Sequence, residues 1–317
     1  MLKDMDFGVY GKGVDGYVHY SLAMERIREE EENRKALMDE FDNDEDNFDS
    51  DDLDSDDFGS DDFGGDDLTL EQFFSEYPET AVAFSGGVDS AFLLYCAKKY
   101  AKKVAAYYVK SAFQPEFELA DAKRFCREFD VDLRIINMDI LSDKAVCKND
   151  ENRCYFCKKQ IMTAIKNYAE KDGFGVVIDG TNASDSADDR PGFKALSELE
   201  IFSPLRLCGL TKDKIRDLSE KAGLFIYNKP AYACLATRIK TGERITKDKL
   251  ERTEKAENLL FSMGFRDFRV RTAGSSAKLE ICANQMDLLT EQRESILKEL
   301  KKEYSSIFLN LEFRNEQ

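Results

Sequence analysis

The residues best suited to chemistry form a motif with two glycines between serines, followed by an aspartate. It reads SGGVDS and consists of Ser85, Gly86, Gly87, Val88, Asp89 and Ser90. Consecutive glycines allow backbone N–H groups to converge on phosphate oxygens at the positive end of a following helix. The serines add hydroxyl donors, and Asp89 offers a carboxylate to the Mg2+ that accompanies a nucleotide. The motif predicts a nucleotide phosphate site that is not a Walker loop, because GxxxxGK[ST] is absent.

Cysteines form a second set of reactive side chains. Cys154 and Cys157 have CxxC spacing in RCYFCKK, and Cys234 follows in KPAYACLATRI. Two thiolates at this spacing just before a helix can share one metal centre, to which the distant third cysteine can add a ligand. Structural Zn2+ completed by Cys147 or Cys208 is an alternative, and so are reduced cysteines that only pack.

Histidine chemistry is excluded from the globular part, because His19 is the one histidine of the chain. Ser-His-Asp and Cys-His catalysis and His-rich metal sites are therefore ruled out there. Cys96, Cys126 and Cys282 lie in apolar patterns and are predicted to be core residues. With no secretory signal and no apolar run near the ~18–20 residues of a membrane span, the protein is expected to be cytoplasmic, with reduced thiols.

Acidic side chains are concentrated at the N-terminus. The 317 residues carry a net charge of -17, and residues 1–70 hold 24 acidic and 6 basic side chains, so 71–317 have a net charge of +1. The tract 41–67 is predicted to be disordered, because it can bury little apolar surface and its charges repel. The near-neutral remainder lacks the basic excess that contact with many nucleic-acid phosphates favours.

The elements that must position these residues alternate between strand and helix. A strand at 80–84 leads into SGGVDS, and a helix at 90–100 follows it. Further strands are predicted at 104–109, 133–137 and 175–179, and further helices at 116–129, 158–171 and 211–222. This alternation favours an α/β fold with a doubly wound, mostly parallel, Rossmann-like sheet.

The pattern changes after Thr241. A helix at 247–263, two strands at 267–272 and 277–282, and a helix at 285–304 predict a smaller α+β unit. We therefore predict three parts: an N-terminal extension at 1–67, a nucleotide-binding domain at 68–240, and a C-terminal unit for substrate binding or oligomerisation at 241–317.

Several motifs together carry a family resemblance. SGGVDS after a strand resembles the PP-loop of the N-type ATP pyrophosphatases, which split ATP into AMP and pyrophosphate and attach AMP to a substrate oxygen. The motifs that follow in order are RCYFCKK, DGTNASD (Asp179–Asp185), DDRPG (Asp188–Gly192), SPL (Ser203–Leu205), GLTKDKIR (Gly209–Arg216) and KPAYACLATRI. Over about residues 68–315, the chain resembles the LarE-type sulfur transferases of nickel-pincer cofactor biosynthesis.

The resemblance implies a reaction and its cofactors. LarE-type enzymes adenylylate a carboxylate of pyridinium-3,5-biscarboxylic acid mononucleotide with ATP and Mg2+, and convert it to a thiocarboxylate. In the three-cysteine group, which this chain matches, Cys154, Cys157 and Cys234 would hold a [4Fe-4S] cluster that carries sulfide. In another group, the residue matching Cys234 gives up its own sulfur and becomes dehydroalanine.

The resemblance also implies further site residues. Arg269 and Arg271, two apart on a strand, match an arginine pair that holds the substrate phosphate, although a solvated strand face is the alternative. Glu257 lies where the family has an active-site glutamate. Arg238 is expected to steady an anionic intermediate or to pair with a carboxylate.

The expected partners follow from these assignments. They are the nucleotide substrate, sulfide or another sulfur donor, and further copies of the same chain, with neither a membrane nor a nucleic acid. Thiolation of tRNA is the second hypothesis, because those enzymes also combine a PP-loop with CxxC and a third cysteine. An ATP-binding sensor or scaffold is the non-enzyme alternative.

Overall fold

A computed structural model describes residues 68–185 and 191–314. The extension 1–67, with its acidic tract, lies outside the described residues, as do Asp188, Asp189 and Arg190 of the DDRPG motif. Leu68–Gln317 groups as one unit. The boundary near residue 240 stays a prediction.

Ten helices and seven strands follow one another in the described residues. In chain order they are α1 (Leu70–Glu76), β1 (Glu79–Ala83), α2 (Val88–Tyr100), β2 (Lys103–Lys110), α3 (Glu116–Glu128), β3 (Asp132–Asn137), α4 (Lys144–Lys148), α5 (Arg153–Lys171), β4 (Val176–Asp179), α6 (Pro191–Glu198), α7 (Pro204–Leu207), α8 (Lys212–Lys221), α9 (Lys247–Ser262), β5 (Arg269–Ala273), β6 (Ser276–Glu280), α10 (Met286–Leu300) and β7 (Ser306–Leu309). Short 3-10 helices cover Ile140–Ser142, Leu235–Arg238 and Ala283–Gln285.

The first four strands form a parallel sheet in the order β3-β2-β1-β4. The predicted doubly wound α/β fold is confirmed. Ala83, at the end of the central strand β1, pairs with Tyr107 on one side and Asp179 on the other. Since the carboxyl ends of parallel strands meet at one edge, the phosphate loop and the residues after β4 come together there.

The last three strands form a second sheet in the order β5-β6-β7. Strands β5 and β6 are antiparallel, whereas β6 and β7 are parallel. The sequence pattern missed β7, because it extended the final helix to residue 304, although α10 ends at Leu300. A separate apolar cluster, which includes Leu260, Phe265 and Tyr304, packs against this sheet.

One predicted boundary that affects the site is wrong. Helix α5 begins at Arg153 rather than at Lys158, so the CxxC pair lies in the first turn of the helix and not before it. The segment has no proline or glycine to delay the helix, and residues three apart share a helix face. Cys154 and Cys157 therefore keep a fixed relation to each other.

The structure bears on the predicted core cysteines and on membrane-spanning helices. Cys96, Cys126 and Cys282 are buried, at 5%, 3% and 2% exposure, which confirms them as core residues. Across 68–185 and 191–314, no helix combines the length and the apolar character that crossing a bilayer requires.

Candidate functional site

The phosphate loop, Ser85–Ser90, connects β1 to α2. The hydroxyls of Ser85 and Ser90 lie 2.9 Å apart, and Ser90 Oγ donates to Gly87 O at 3.1 Å. Gly86 has a φ of 77°, and a Cβ there would lie 3.0 Å from Glu118 O. Glycine is therefore required at this position, and the serine hydroxyls brace the turn from inside.

Gly180, directly after β4, touches the first turn of α2. A Cβ on Gly180 would lie 2.7 Å from Ser90 N and 2.8 Å from Ser90 Cα. Any side chain would thus force the end of β4 away from the phosphate loop. The glycine of the DGTNASD motif allows this close approach.

The carboxylate of Asp179 joins three of the motifs. It accepts hydrogen bonds from Lys158 Nζ at 3.0 Å, Thr181 Oγ1 at 2.8 Å and Ser203 Oγ at 2.7 Å. Burial opposes its ionisation, but Lys158 and the two hydroxyls hold the pKa of Asp179 below its usual range. This ionised carboxylate fixes the CxxC helix and the SPL segment next to the phosphate loop.

Two lysines that the sequence reasoning did not select lie at the phosphate loop. Lys212, from GLTKDKIR, pairs with Asp89 Oδ2 at 2.6 Å. Lys229, from KPAYACLATRI, donates to Gly86 O at 3.1 Å and pairs with Asp121 at 2.7 Å. Their motifs were recognised, but only the fold shows that both ammonium groups reach the loop.

Lys212 contacts only one of the two carboxylate oxygens of Asp89. Asp89 Oδ1 is buried, and within the described ranges it has no hydrogen-bond partner. A buried carboxylate oxygen of this kind is costly unless a ligand or ion uses it. The carboxylate chemistry and this oxygen therefore fit the predicted role of Asp89 in holding Mg2+.

A cavity of about 350 Å3 connects the phosphate loop to the third cysteine. Its lining includes Ser85, Gly87, Asp89, Lys212, Lys229 and Cys234. The predicted nucleotide site and the predicted sulfur site thus share one cavity.

Glu118 is a further lining residue that sequence reasoning did not identify. Its side chain is buried on α3, and burial raises the pKa of Glu118 to about 7. Lys229 and Arg238 act in the opposite direction, whereas Asp121 adds to the rise. The cavity therefore contains a carboxyl group that gains and loses its proton near neutral pH.

The three cysteines Cys154, Cys157 and Cys234, here called the three-cysteine centre, lie within reach of one another's charge. Burial, together with the nearby Cys234 and Cys154, raises the pKa of Cys157 to about 12. Burial also raises the pKa of Cys234, which Arg153 opposes. In the part of the chain that the structure describes, no group of three or more His, Cys, Asp or Glu side chains has a metal-holding arrangement.

Cys147 and Cys208, the proposed extra zinc ligands, have other neighbours. Cys147 Sγ donates to Leu141 O at 3.2 Å. Burial raises the pKa of Cys96, and the nearby Cys208 adds to that rise. The structure thus gives no support to either cysteine as a fourth ligand.

Arg238 and Glu257 form a buried ion pair, with Nε and Oε1 2.7 Å apart. Glu257 also accepts hydrogen bonds from the Tyr232 hydroxyl and from Val270 N. Of the two expectations for Arg238, pairing with a carboxylate is therefore what the structure contains. Arg238 Nη2 is buried and has no hydrogen-bond partner among residues 68–185 and 191–314.

Arg269 and Arg271 contact the chain on either side of Cys234. Arg269 is 6% exposed and donates to Ala231 O, and burial lowers its pKa to about 10. Arg271 donates to Thr237 O at 2.6 Å and pairs with Glu280 at 2.9 Å. Arg269 is buried, so it does not lie on a solvated strand face. Phosphate binding by the arginine pair stays a prediction.

Comparisons with known proteins place these motifs in context. The family profile of Queuosine biosynthesis protein QueC matches residues 79–243. An uncharacterized protein of Synechocystis sp. is 35% identical, over 68% of this chain and 81% of its own length. The pyridinium-3,5-bisthiocarboxylic acid mononucleotide synthase of Lactiplantibacillus plantarum is 30% identical, over 67% of this chain and 78% of its own length. The tRNA-specific 2-thiouridylase MnmA of Pseudothermotoga lettingae is 29% identical, over 47% and 53% respectively.

Proposed function

The chain belongs to the PP-loop ATP pyrophosphatases and, within them, to the LarE-type family, and from that membership we propose that it is an ATP-dependent sulfur transferase. The proposed substrate is pyridinium-3,5-biscarboxylic acid mononucleotide. One of its carboxylates is adenylylated and then converted to a thiocarboxylate. The name of the Lactiplantibacillus plantarum relative supports this substrate class.

The observation that carries the proposal is the cavity shared by the phosphate loop and Cys234. An acyl-adenylate is hydrolysed by water, so transfer to sulfur requires both reaction partners in one enclosed place. Holding them together contributes to the rate by removing the entropy cost of their encounter.

In the first step, a substrate carboxylate oxygen attacks the α-phosphorus of ATP, and pyrophosphate leaves. The loop N–H groups, Lys212 and Lys229 would neutralise charge on the phosphates, and Asp89 would hold Mg2+, which would supply further positive charge there. In the structure, the Lys212 ammonium pairs with one Asp89 oxygen. When a nucleotide binds, this ammonium group would move from Asp89 to a phosphate oxygen.

In the second step, an anionic sulfur attacks the carbonyl carbon, and AMP leaves with the electrons of the broken C–O bond. No histidine base is needed, because the nucleophile is already an anionic sulfur. Arg271 and Arg238 line a second cavity rather than the shared one, and we propose that Arg271 and the Nη2 of Arg238 bind the substrate's phosphate and carboxylate charges there. The Arg269 guanidinium already donates to the backbone carbonyls of Phe268 and Ala231, and its role would be to fix the position of Ala231.

The three-cysteine centre is proposed to hold the sulfur-delivering group. Thiols are soft ligands of the kind that iron and zinc prefer, and the raised pKa values of Cys157 and Cys234 describe the metal-free form, since binding requires thiolates. A [4Fe-4S] cluster with one open iron would supply transferable sulfide when bound. Structural Zn2+ and sacrificial transfer from Cys234 are the alternatives.

One experiment tests substrate and sulfur source together. The anaerobically purified protein is incubated with ATP, Mg2+, sulfide and the pyridinium nucleotide, and product and protein are weighed by mass spectrometry. We expect a thiocarboxylate product, AMP and pyrophosphate, with Cys234 intact and iron in excess of zinc. Dehydroalanine at Cys234 would support the sacrificial route, and a colourless, zinc-loaded, active protein would disprove the cluster.

Thiolation of tRNA is the second candidate, favoured by the similarity to MnmA. Charge argues against it, because residues 71–317 have a net charge of only +1. Salt-sensitive tRNA binding by the purified protein would reverse this order.

A further inference from the structure

A buried asparagine links the segment before the CxxC pair to the loop that follows Cys234. Asn149 is 0% exposed and ends α4 in the left-handed region, with φ of 59°. Its Nδ2 donates to Lys240 O at 2.9 Å, to Glu243 O at 3.0 Å and, more weakly, to Ile239 O at 3.4 Å. One amide group therefore gathers three carbonyls of the loop.

Arg153 completes the link from the other side. Its Nη1 donates to Asn149 Oδ1 at 2.6 Å and to Ala236 O at 3.1 Å. Its Nη2 lies 3.4 Å from Cys154 Sγ. The guanidinium thus touches the asparagine, the loop after Cys234 and the first CxxC thiol together.

Backbone hydrogen bonds run parallel to these contacts. Gly242 N donates to Asn149 O at 2.8 Å, and Ile245 N donates to Cys147 O at 2.9 Å. The backbone bonds hold residues 242–245, whereas the side chains of Asn149 and Arg153 reach back to Ala236, two residues from Cys234.

The two cysteine positions have different needs. Cys154 and Cys157 are fixed relative to each other by the helix they share. Cys234 precedes a 3-10 helix in a connecting segment and depends on tertiary contacts for its place. A buried amide with its donors and acceptor satisfied is well suited to fixing such a segment.

We propose that Asn149 and Arg153 are positioning residues that set Cys234 against the CxxC pair. The inference rests on the proposed three-cysteine centre and adds the residues that assemble it. Neither side chain is assigned a bond to substrate or metal. Their effect passes through the loop from Ala236 to Glu243.

Cobalt(II) added alone to the metal-free protein provides the test. Asn149→Asp keeps the size of the side chain and the acceptor for Arg153, but removes both donors to the loop carbonyls. We expect its thiolate-to-cobalt charge-transfer spectrum to match that of Cys234→Ser, with two thiolates, rather than that of the wild type, with three. Cobalt affinity should fall about 10-fold to 100-fold, as for other residues that orient ligands.

Three further variants control for folding. Asn149→Gly retains access to the left-handed backbone and also lacks the amide donors. It should show the same two-thiolate spectrum, and it replaces Asn149→Asp in the test if the buried Asp prevents folding. Arg153→Lys should lose the contact to either Asn149 or Ala236 and give a partial loss. Leu260→Ala, in the separate C-terminal cluster, lowers stability without touching the loop and should keep the three-thiolate spectrum.

The outcomes separate the two proposals. A three-thiolate spectrum in both Asn149 variants overturns the positioning role. A wild-type spectrum identical to that of Cys234→Ser means that the three-cysteine centre is wrong. Positioning is then decided by dibromobimane, which joins two nearby thiols with loss of two bromide ions. In a Cys154→Ser background, Asn149→Asp should slow formation of the Cys157–Cys234 cross-link about 10-fold. An unchanged rate would refute the positioning role.

Discussion

The Glu257 carboxylate lies 2.7 Å from the Arg238 guanidinium, and the two side chains are only 2% and 1% exposed. Two charges removed from water must compensate each other, so this pair ties α9 to the segment that carries Cys234. Glu257 was expected as an active-site glutamate. It contacts Arg238, Tyr232 and Val270, and its role in the active site stays a prediction.

Replacing Glu257 with glutamine should destabilise the protein strongly. The change keeps the shape but leaves the Arg238 charge buried without its partner, and loss of one member of such a pair costs about 3–5 kcal/mol. Urea unfolding measures the effect. Glu251→Gln, on the exposed side of the same helix, should change stability by less than ~1 kcal/mol. Equal effects of the two variants would contradict this assignment.

Adding one methyl group to Gly180 should impair the nucleotide site. A Cβ there would lie 2.7 Å from Ser90 N, so the phosphate loop or the end of β4 must shift. We expect Gly180→Ala to lower ATP-dependent pyrophosphate release about 100-fold. Gly175→Ala is the matched control, because a Cβ there meets nothing within 4 Å. Normal pyrophosphate release by Gly180→Ala would show that the contact is unimportant.

Replacing Asp89 with asparagine should remove the proposed Mg2+ ligand and the partner of Lys212. Pyrophosphate release should fall about 100-fold or more, because charge on the leaving group is no longer neutralised in place. The release is measured over a range of Mg2+ concentrations. Asp213→Asn, on the exposed residue next to Lys212, should retain full activity. Activity of Asp89→Asn with unchanged Mg2+ dependence would remove Asp89 from the site.

Glu118 should make stability depend on pH. Its pKa is raised to about 7 in the folded protein, so between about pH 4.5 and 7 the folded state binds more protons than the unfolded one. The contribution of the neutral carboxyl to the free energy of unfolding is fully present below that range and is lost as the pH rises through 7. The full change amounts to about 3 kcal/mol.

Unfolding of Glu118→Gln and of the wild type at pH 5 and pH 8.5 checks this expectation. The stability of the variant relative to the wild type should increase by about 3 kcal/mol at the higher pH. Lys110, Asp121, Lys229 and Arg238 are the charged groups that act on Glu118, and all remain in place. Glu128→Gln, exposed on the same helix, should show no such change. A pH-independent difference for Glu118→Gln would refute the raised pKa.

Local patterns were sufficient for most of the fold. Apolar strands that alternate with amphipathic helices predict a parallel sheet, and two adjacent glycines after a strand predict an anion loop. The first sheet confirms the predicted parallel sheet, and anion binding by the loop stays a prediction. The pattern failed at β7, a four-residue strand whose pairing with β6 depends on tertiary context.

The site was less accessible to sequence reasoning, because its key contacts are distant in the chain. Lys212 reaches Asp89 across 123 residues, and Lys229 reaches Gly86 across 143. Burial raises the pKa of Glu118, and no motif reports burial. The motifs identified the segments that meet, but only the fold shows which atoms of them touch.

The hydrogen bond from Asn149 to Glu243 closes a stretch of 94 residues. A nascent chain that ends before Glu243 carries the CxxC pair and Cys234, but lacks a carbonyl that holds the third thiol in place. If Asn149 positions Cys234 as proposed, assembly of the three-cysteine centre therefore waits until Glu243 has been synthesised. A stalled or truncated chain would carry the CxxC pair without a completed site for it to join.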